Sequence, residues 1–344
     1  MRTEDFDYEL PSGRIAQEPV EPRDACRLLV LDRLSGQIDH RTFADLPEYL
    51  SGGDVLVVNE TRVLAARLRG AKDETGGAVE VLLLRERYED TWECLVKPGR
   101  RLKPGVHIVF GDGELKGLVL DTIEESGGRL IRLTTQEGSV RDAVRRLGEV
   151  PLPPYITRTL ENPELYQTVF AREERSAAAP TAGLHFTEEL LGRIEACGVR
   201  VARVQLDVGI DTFRPVAEED PRDHHIHSEH MRVSERAASD IREARERGGR
   251  IVAVGTTVVR ALESAYDAET QQVRPFEGQT DLFILPGHRF GAVDSLVTNF
   301  HTPRSTLLMM VSALAGRELI MRAYESALDE GYRFLSFGDA MLIR

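Results

Sequence analysis

A chain of 344 residues is longer than a single small core needs, and it suits two domains or one domain carrying a large insertion. With 41% hydrophobic and 29% charged residues it has an ordinary globular balance, which excludes a disordered or fibrous chain. The formal net charge of -13 excludes indiscriminate coating of nucleic acid, which relies on Lys and Arg neutralising phosphates, but leaves room for a local basic face.

No apolar run approaches the roughly 20 residues that span a bilayer, and the first residues, MRTEDFDYELP, carry acids where a signal peptide needs a basic and then an apolar stretch. The expectation is a cytoplasmic protein with no membrane partner. Cys26, Cys94 and Cys197 are odd in number and far apart, so neither a disulfide framework nor a structural zinc site is expected.

In chain order, Asp54-Val-Leu-Val-Val58 is the first clear strand. From about Ala78 to Thr135 short apolar or alternating runs (79–84, 92–96, 106–110, 115–120 and 130–133) are separated by Gly, Pro and Asp, and predict a compact antiparallel sheet or small barrel. A helix is expected over Val140 to Leu147. The following Pro151-Leu-Pro-Pro-Tyr155 cannot continue it and reads as a stiff extended linker at a domain boundary.

Helices and strands then alternate. Thr187 is a candidate N-cap of a helix ending before Gly198, Val199 to Leu206 reads as a strand, and Ser234 caps a helix to about Arg247. Ile251 to Val254 is a strand entering Gly255-Thr-Thr257 and a helix through Tyr266. A strand over Leu282 to Leu285 and helices over Pro303 to Leu314 and Glu318 to Leu328 complete the pattern. The fold class predicted is α/β: a larger α/β domain with an inserted small antiparallel β-barrel domain, divided as 1–65, 66–150 and 151–344.

Four segments could carry chemistry. In Ala179-Pro-Thr-Ala-Gly-Leu-His-Phe186 a proline and a glycine set a turn ahead of a capped helix, presenting Thr181 and His185 from a rigid corner. His185 could act as general acid or base, and an ordinary buried histidine is the competing reading. The run Asp223-His-His-Ile-His-Ser-Glu-His230 gathers His224, His225, His227, Glu229 and His230; a metal site, a proton-transfer loop and a solvated loop all fit it, and H-E-x-x-H is absent. Gly255-Thr-Thr-Val-Val-Arg260 opens a helix where N–H groups and threonine hydroxyls hold anions. Val297-Thr-Asn-Phe-His-Thr-Pro-Arg-Ser-Thr306 places Asn299 and His301 where an end-of-strand site would sit. A basic tip, Lys97, Arg100, Arg101 and Lys103, is either a docking face or a solvated hairpin end. P-loop, G-x-G-x-x-G and G-x-S-x-G patterns do not occur.

Taken together and in order, these blocks resemble the S-adenosylmethionine:tRNA ribosyltransferase-isomerase family of queuosine biosynthesis. The resemblance runs from Asp5-Phe-Asp-Tyr-Glu-Leu-Pro11 and Arg27-Leu-Leu-Val-Leu-Asp-Arg33 through Gly53-Asp-Val-Leu-Val-Val-Asn59, Pro151-Leu-Pro-Pro-Tyr-Ile156 and Ala179 to Phe186. It continues through His227-Ser-Glu229, Gly255-Thr-Thr257, Thr298-Asn-Phe-His301 and Phe337-Gly-Asp-Ala-Met-Leu-Ile343. It implies an enzyme that transfers and isomerises the ribosyl group of S-adenosylmethionine onto 7-aminomethyl-7-deazaguanine at the tRNA wobble position, giving epoxyqueuosine, adenine and methionine. S-adenosylmethionine is then a co-substrate, no cofactor or metal is expected, and the protein is expected to be a monomer.

A sulfonium acidifies the adjacent ribose C5′ hydrogens, so the resemblance implies His185 and His227 in proton transfer and Glu229 in stabilising charge. It further implies Thr181, Thr256, Thr257, Arg260, Asn299 and His301 in substrate binding and Lys97, Arg100, Arg101 and Lys103 on tRNA, whose anticodon loop can splay the wobble base into a pocket. Three departures stand out: Asp207 where the family commonly has His, Asp211 where it has Gly, and His288 where Tyr or Phe is usual. The rival readings are a relative acting on a free deazapurine or other non-tRNA acceptor and, more distantly, a metal-dependent hydrolase using His224 to His230.

Overall fold

The computed structural model describes residues 1–124, 127–209, 215–226 and 228–344. Its contacts divide the chain into two compact units: Met1–Thr61 with Pro153–Glu173 and Ala179–Arg344, and Arg62–Leu152 with Glu174–Ala178.

The larger unit is built on a nine-stranded mixed sheet. At its centre runs Val55–Asn59, five residues all buried, as expected of a strand covered on both faces. Arg200–Leu206 and Ile251–Val254 pair with it in parallel on either side, and Ser295–Asn299 extends the parallel set by one strand. Ala340–Ile343 then joins antiparallel, followed by Arg27–Leu31 and Ile38–Thr42; Glu229–Val233 and Phe276–Thr280 close the other edge. Four consecutive parallel strands therefore share one carboxyl end.

The helices follow their sequence signals. The Thr187 hydroxyl accepts from the Leu190 N–H to cap Glu188–Ala196, Ser234 caps Glu235–Glu246, and Ser305 caps Thr306–Ala315. One strand differs from expectation. Residues 282–285 are not in the sheet; the edge strand is Phe276–Thr280, immediately before them. Phe276-Glu-Gly-Gln-Thr280 is mostly exposed and carries almost no apolar pattern, so nothing in it competes with the apolar run that follows.

The smaller unit is a closed six-stranded antiparallel barrel in the order 128–135, 91–97, 78–88, 67–72, 107–110 and 115–123. Its interior is filled by residues such as Leu68, Val81, Trp92, Ile108, Phe110 and Ile131, and the helix Val140–Leu147 packs Ala143 and Val144 against it. The strand Arg67–Lys72 gives little sequence signal because one of its inward positions is Gly70. A Cβ there would come within 2.5 Å of the Phe110 ring, so that aromatic ring takes the space a side chain would use.

At the amino end of the central strand, Asp54 ties three strands together. Its carboxylate accepts from the Ser51 and Arg250 N–H groups and pairs with the Arg250 guanidinium at 2.6 Å, and its carbonyl accepts from the Arg200 N–H. Burial pushes the carboxyl up, but Arg250 and the N–H donors outweigh it and hold it below the usual carboxylate value. Stability from this group is present above the unfolded value, about 3.9, and lost as pH falls through the folded one. Asp54→Asn is expected to cost about 1–3 kcal/mol near neutrality and to flatten the acid limb of urea-denaturation stability against pH; an unchanged acid limb refutes the assignment.

Candidate functional site

A pocket of about 570 Å³, its open mouth included, lies in the larger unit beyond the carboxyl ends of the four parallel strands. In open α/β sheets this is where ligands bind. Val208, just past one strand, Gly255, just past the next, and Asn299, the last residue of a third, all line it. Asn59 ends the central strand and reaches the site indirectly. Its amide N–H donates to the Leu206 carbonyl at 2.9 Å and to the Thr257 hydroxyl at 3.4 Å, while its oxygen accepts from the Leu206 and Thr61 N–H groups.

The turn Thr181–His185 forms one wall. Pro180 precedes it, and Gly183 is packed so closely that a Cβ would sit 2.6 Å from the Phe170 ring and 2.9 Å from Thr168. Thr181 faces the pocket and donates from its hydroxyl to the Asn299 oxygen at 3.1 Å. Asn299 then donates from its amide nitrogen to the Leu335 carbonyl at 3.1 Å and to His185 Nε2 at 3.0 Å. A carbonyl can only accept, so Leu335 sets the orientation of the amide. His185 Nε2 must therefore carry a lone pair, and Nδ1 carries the proton, directed at Cys26 Sγ 3.3 Å away.

This geometry places His185 one layer behind the pocket wall. The side chain does not line the pocket; it is buried behind Asn299, with the Phe43 ring 5.2 Å away and both ring nitrogens engaged. Burial, helped by Arg333 and Arg23, lowers its pKa to about 3. A neutral ring with its only lone pair occupied holds Asn299 in place. The Cys26 thiol is pushed up by burial and stays protonated.

His301 does line the pocket. Burial lowers its pKa to about 3 as well. Tyr324 accepts from the His301 backbone N–H at 3.0 Å and can give its one proton to Nδ1 at 3.2 Å, leaving Nε2–H to donate to the Thr298 hydroxyl at 3.1 Å. Leu335, at φ 69°, is a bulky residue in the left-handed region, and its carbonyl is the one Asn299 uses; strain sits where the polar network is tightest.

Thr256 and Thr257 line the pocket at the start of the helix Thr256–Ser264. Gly255 precedes it at φ 88°, a conformation that glycine adopts without strain. Arg260, expected beside them, is one turn further in and faces the sheet edge. It forms a buried ion pair with Glu229 and donates to the Leu282 carbonyl, while the Gly209 N–H donates to Glu229 at 2.8 Å. Neither Arg260 nor Glu229 lines this pocket, and their ion pair ties the edge strand to the helix.

His227 lies outside the described residues, as does Asp211. His224 Nδ1 meets Glu218 at 2.8 Å, whereas His230 faces Asp207 at 3.6 Å and Glu277 at 3.9 Å, so these two histidines turn to separate partners. Among the described residues no group of three or more His, Cys, Asp or Glu side chains is placed to hold a metal ion. His288, the third departure, sits near the Glu263 carboxylate that also collects the N–H groups of Gly291, Ala292 and Val293. Lys97, Arg100, Arg101 and Lys103 are all exposed, at a turn of the barrel.

Sequence reasoning missed Tyr155 and Ser336. Tyr155, read as the end of a linker, lines the pocket with its hydroxyl 2.7 Å from that of Ser336, another lining residue. The polar-aromatic residue closing an otherwise apolar Pro-rich run was the available signal.

The fold is that of a mixed α/β protein with its pocket at the carboxyl ends of parallel strands, the place where α/β enzymes take small molecules. The family model described as queuosine biosynthesis protein matches residues 3–343, and the chain belongs to that family. It is 61% identical over 343 residues, and over the full length of both chains, to an S-adenosylmethionine:tRNA ribosyltransferase-isomerase of Symbiobacterium thermophilum, and 57% identical, again full length, to that of Moorella thermoacetica. The crystal structure of S-adenosylmethionine tRNA ribosyltransferase from Thermotoga maritima aligns over 99% of this chain and 100% of that one, with 41% identity and a TM-score of 0.57.

Two buried neutral histidines make the fold acid-sensitive. Their folded pKa values near 3 lie below the unfolded value of about 6.5, so they stabilise the protein above that value and progressively less as pH falls. In His185→Gln the slope of unfolding free energy against pH between about 6 and 4 is expected to fall by about one proton. An undiminished slope would show that the ring protonates as readily folded as unfolded.

Proposed function

We propose that this chain transfers and isomerises the ribosyl group of S-adenosylmethionine onto 7-aminomethyl-7-deazaguanine at the wobble position of tRNA, forming epoxyqueuosine with release of adenine and methionine. It is a ribosyltransferase-isomerase of queuosine biosynthesis, and S-adenosylmethionine is its co-substrate. The observation that carries the assignment to this pocket is the amide of Asn299, which the Leu335 carbonyl and His185 hold against Thr181 at the carboxyl end of the sheet.

In this reading the N-terminus of the helix Thr256–Ser264, with the hydroxyls of Thr256 and Thr257, receives the methionine carboxylate. Thr181 and Asn299 hold the ribose hydroxyls or the adenine edge, and Tyr155 offers an aromatic face for a base. His185 is a positioning residue that keeps Asn299 in one orientation. His301 is held neutral and contributes shape and its hydrogen bond to Thr298. Proton removal at C5′, made acidic by the sulfonium, falls to His227, the remaining histidine of the expected pair. Glu229 acts from its ion pair with Arg260, where it also accepts from the Gly209 N–H.

Incubation with S-adenosylmethionine and tRNA bearing 7-aminomethyl-7-deazaguanine is expected to release adenine and yield epoxyqueuosine, read by mass spectrometry. Turnover only with a free deazapurine would transfer the assignment to a non-tRNA acceptor. Asn299→Ala is expected to lower kcat/KM about 100-fold or more, on the scale of losing one aligned polar contact in a water-poor site. His185→Ala should act through the same residue, so the double variant is expected to lose little more than Asn299→Ala alone; fully additive losses would separate the two residues.

A further inference from the structure

A turn of the barrel gathers four exposed cationic side chains. After the strand Thr91–Lys97 the chain bends through Gly99–Arg101, and Lys97, Arg100, Arg101 and Lys103 are exposed. Among the described residues none of these four side chains pairs with a carboxylate. Glu80, which lies opposite Lys97 in the ladder, approaches Arg67 instead, at 4.0 Å.

The turn is held from beneath by a second set of cations. Arg129 is 8% exposed, and its guanidinium donates to the carbonyls of Leu102 at 2.5 Å, Gly99 at 2.6 Å, Gly128 at 2.8 Å and Gly127 at 3.0 Å. Lys72 Nζ donates to the Arg101 carbonyl at 2.5 Å. The Leu102 side chain is fully buried in the barrel. Three carbonyls of the turn are thus drawn inward, and the side chains of Arg100, Arg101 and Lys103 are left in solvent.

Among the described residues the guanidinium meets carbonyl dipoles and no carboxylate, although a neutral donor would avoid the desolvation cost. Here its charge adds to the field of the exposed cations above it. In a chain with a net charge of -13, residues 97–105 contain no Asp or Glu. Among the described residues no large hydrophobic is exposed beside it, as a membrane-inserting loop would require. Two guanidiniums and two ammonium groups on a fixed turn suit the phosphodiester backbone of RNA, which arginine can grip in bidentate fashion.

We propose that the turn Lys97 to Lys103 is a preorganised docking site for the phosphates of an RNA chain, and that Arg129 is its positioning residue. The proposal rests on the tRNA reading above and extends it to the barrel.

Binding of an unmodified tRNA, followed by fluorescence anisotropy at several salt concentrations, tests it. The triple variant Arg100→Gln, Arg101→Gln, Lys103→Gln changes only exposed side chains. It is expected to bind about tenfold or more weakly and to lower the slope of log affinity against log salt by about 2 to 3. Arg129→Met leaves those charges in place; it is expected to raise KM for tRNA several-fold without raising KM for S-adenosylmethionine, and Arg129→Lys to recover part of the loss. Unchanged tRNA affinity and slope in the triple variant would overturn the docking site. A normal KM for tRNA in Arg129→Met, or no recovery in Arg129→Lys when its melting matches wild type, would overturn the positioning role. Adenine release by the wild type with saturating substrate tRNA reads the enzymatic assignment separately: its absence sinks that assignment, whereas its presence beside unchanged binding by the triple variant sinks only the docking site.

Discussion

The carbonyl of Leu335 decides the polarity of the pocket wall. Because it can only accept, it turns the Asn299 amide so that nitrogen faces Leu335 and His185 and oxygen faces Thr181. From that single orientation follow the tautomer of His185, the direction of its Nδ1 proton toward Cys26, and the direction in which the Thr181 hydroxyl donates. Leu335 itself is kept in the left-handed region at φ 69°, a conformation that packing around it must sustain. Strain and polar order are concentrated on the same few residues.

Buried polar groups recur at both ends of the central strand. Asp54 at its start and Asn59 at its end are almost fully enclosed, and each gathers donors or acceptors from neighbouring elements. Such groups are costly to bury unless satisfied, so each one specifies the strand order and register that satisfies it. Asn59 passes this constraint to the pocket through Thr257. The buried Glu229 and Arg260 do the same at the sheet edge, locking the strand Glu229–Val233 to the helix whose N-terminus opens into the site.

The two units divide the electrostatic work. The pocket is lined by neutral polar and apolar groups, and its histidine is kept uncharged by burial. Positive charge is placed on the barrel, where a buried guanidinium underlies exposed ones. A net acidic protein in this way still presents a local positive face.

Sequence alone determined the α/β class with its β-barrel, the central strand, the capped helices and the family. These rest on local periodicity, on Ser and Thr caps and on ordered motifs, all of which act over a few residues. It was weakest where a strand had little apolar pattern, at Arg67–Lys72 with its inward glycine and at the exposed edge Phe276–Thr280. Only the tertiary structure decided which polar residues meet. Thr181, Thr257, Asn299 and His301 converge on one pocket with the unexpected Tyr155 and Ser336, while His185 falls behind the wall and Arg260 turns to Glu229. Whether a side chain faces a ligand or a neighbour depends on partners more than a hundred residues away, such as Asn299 for His185, and no local pattern encodes that distance.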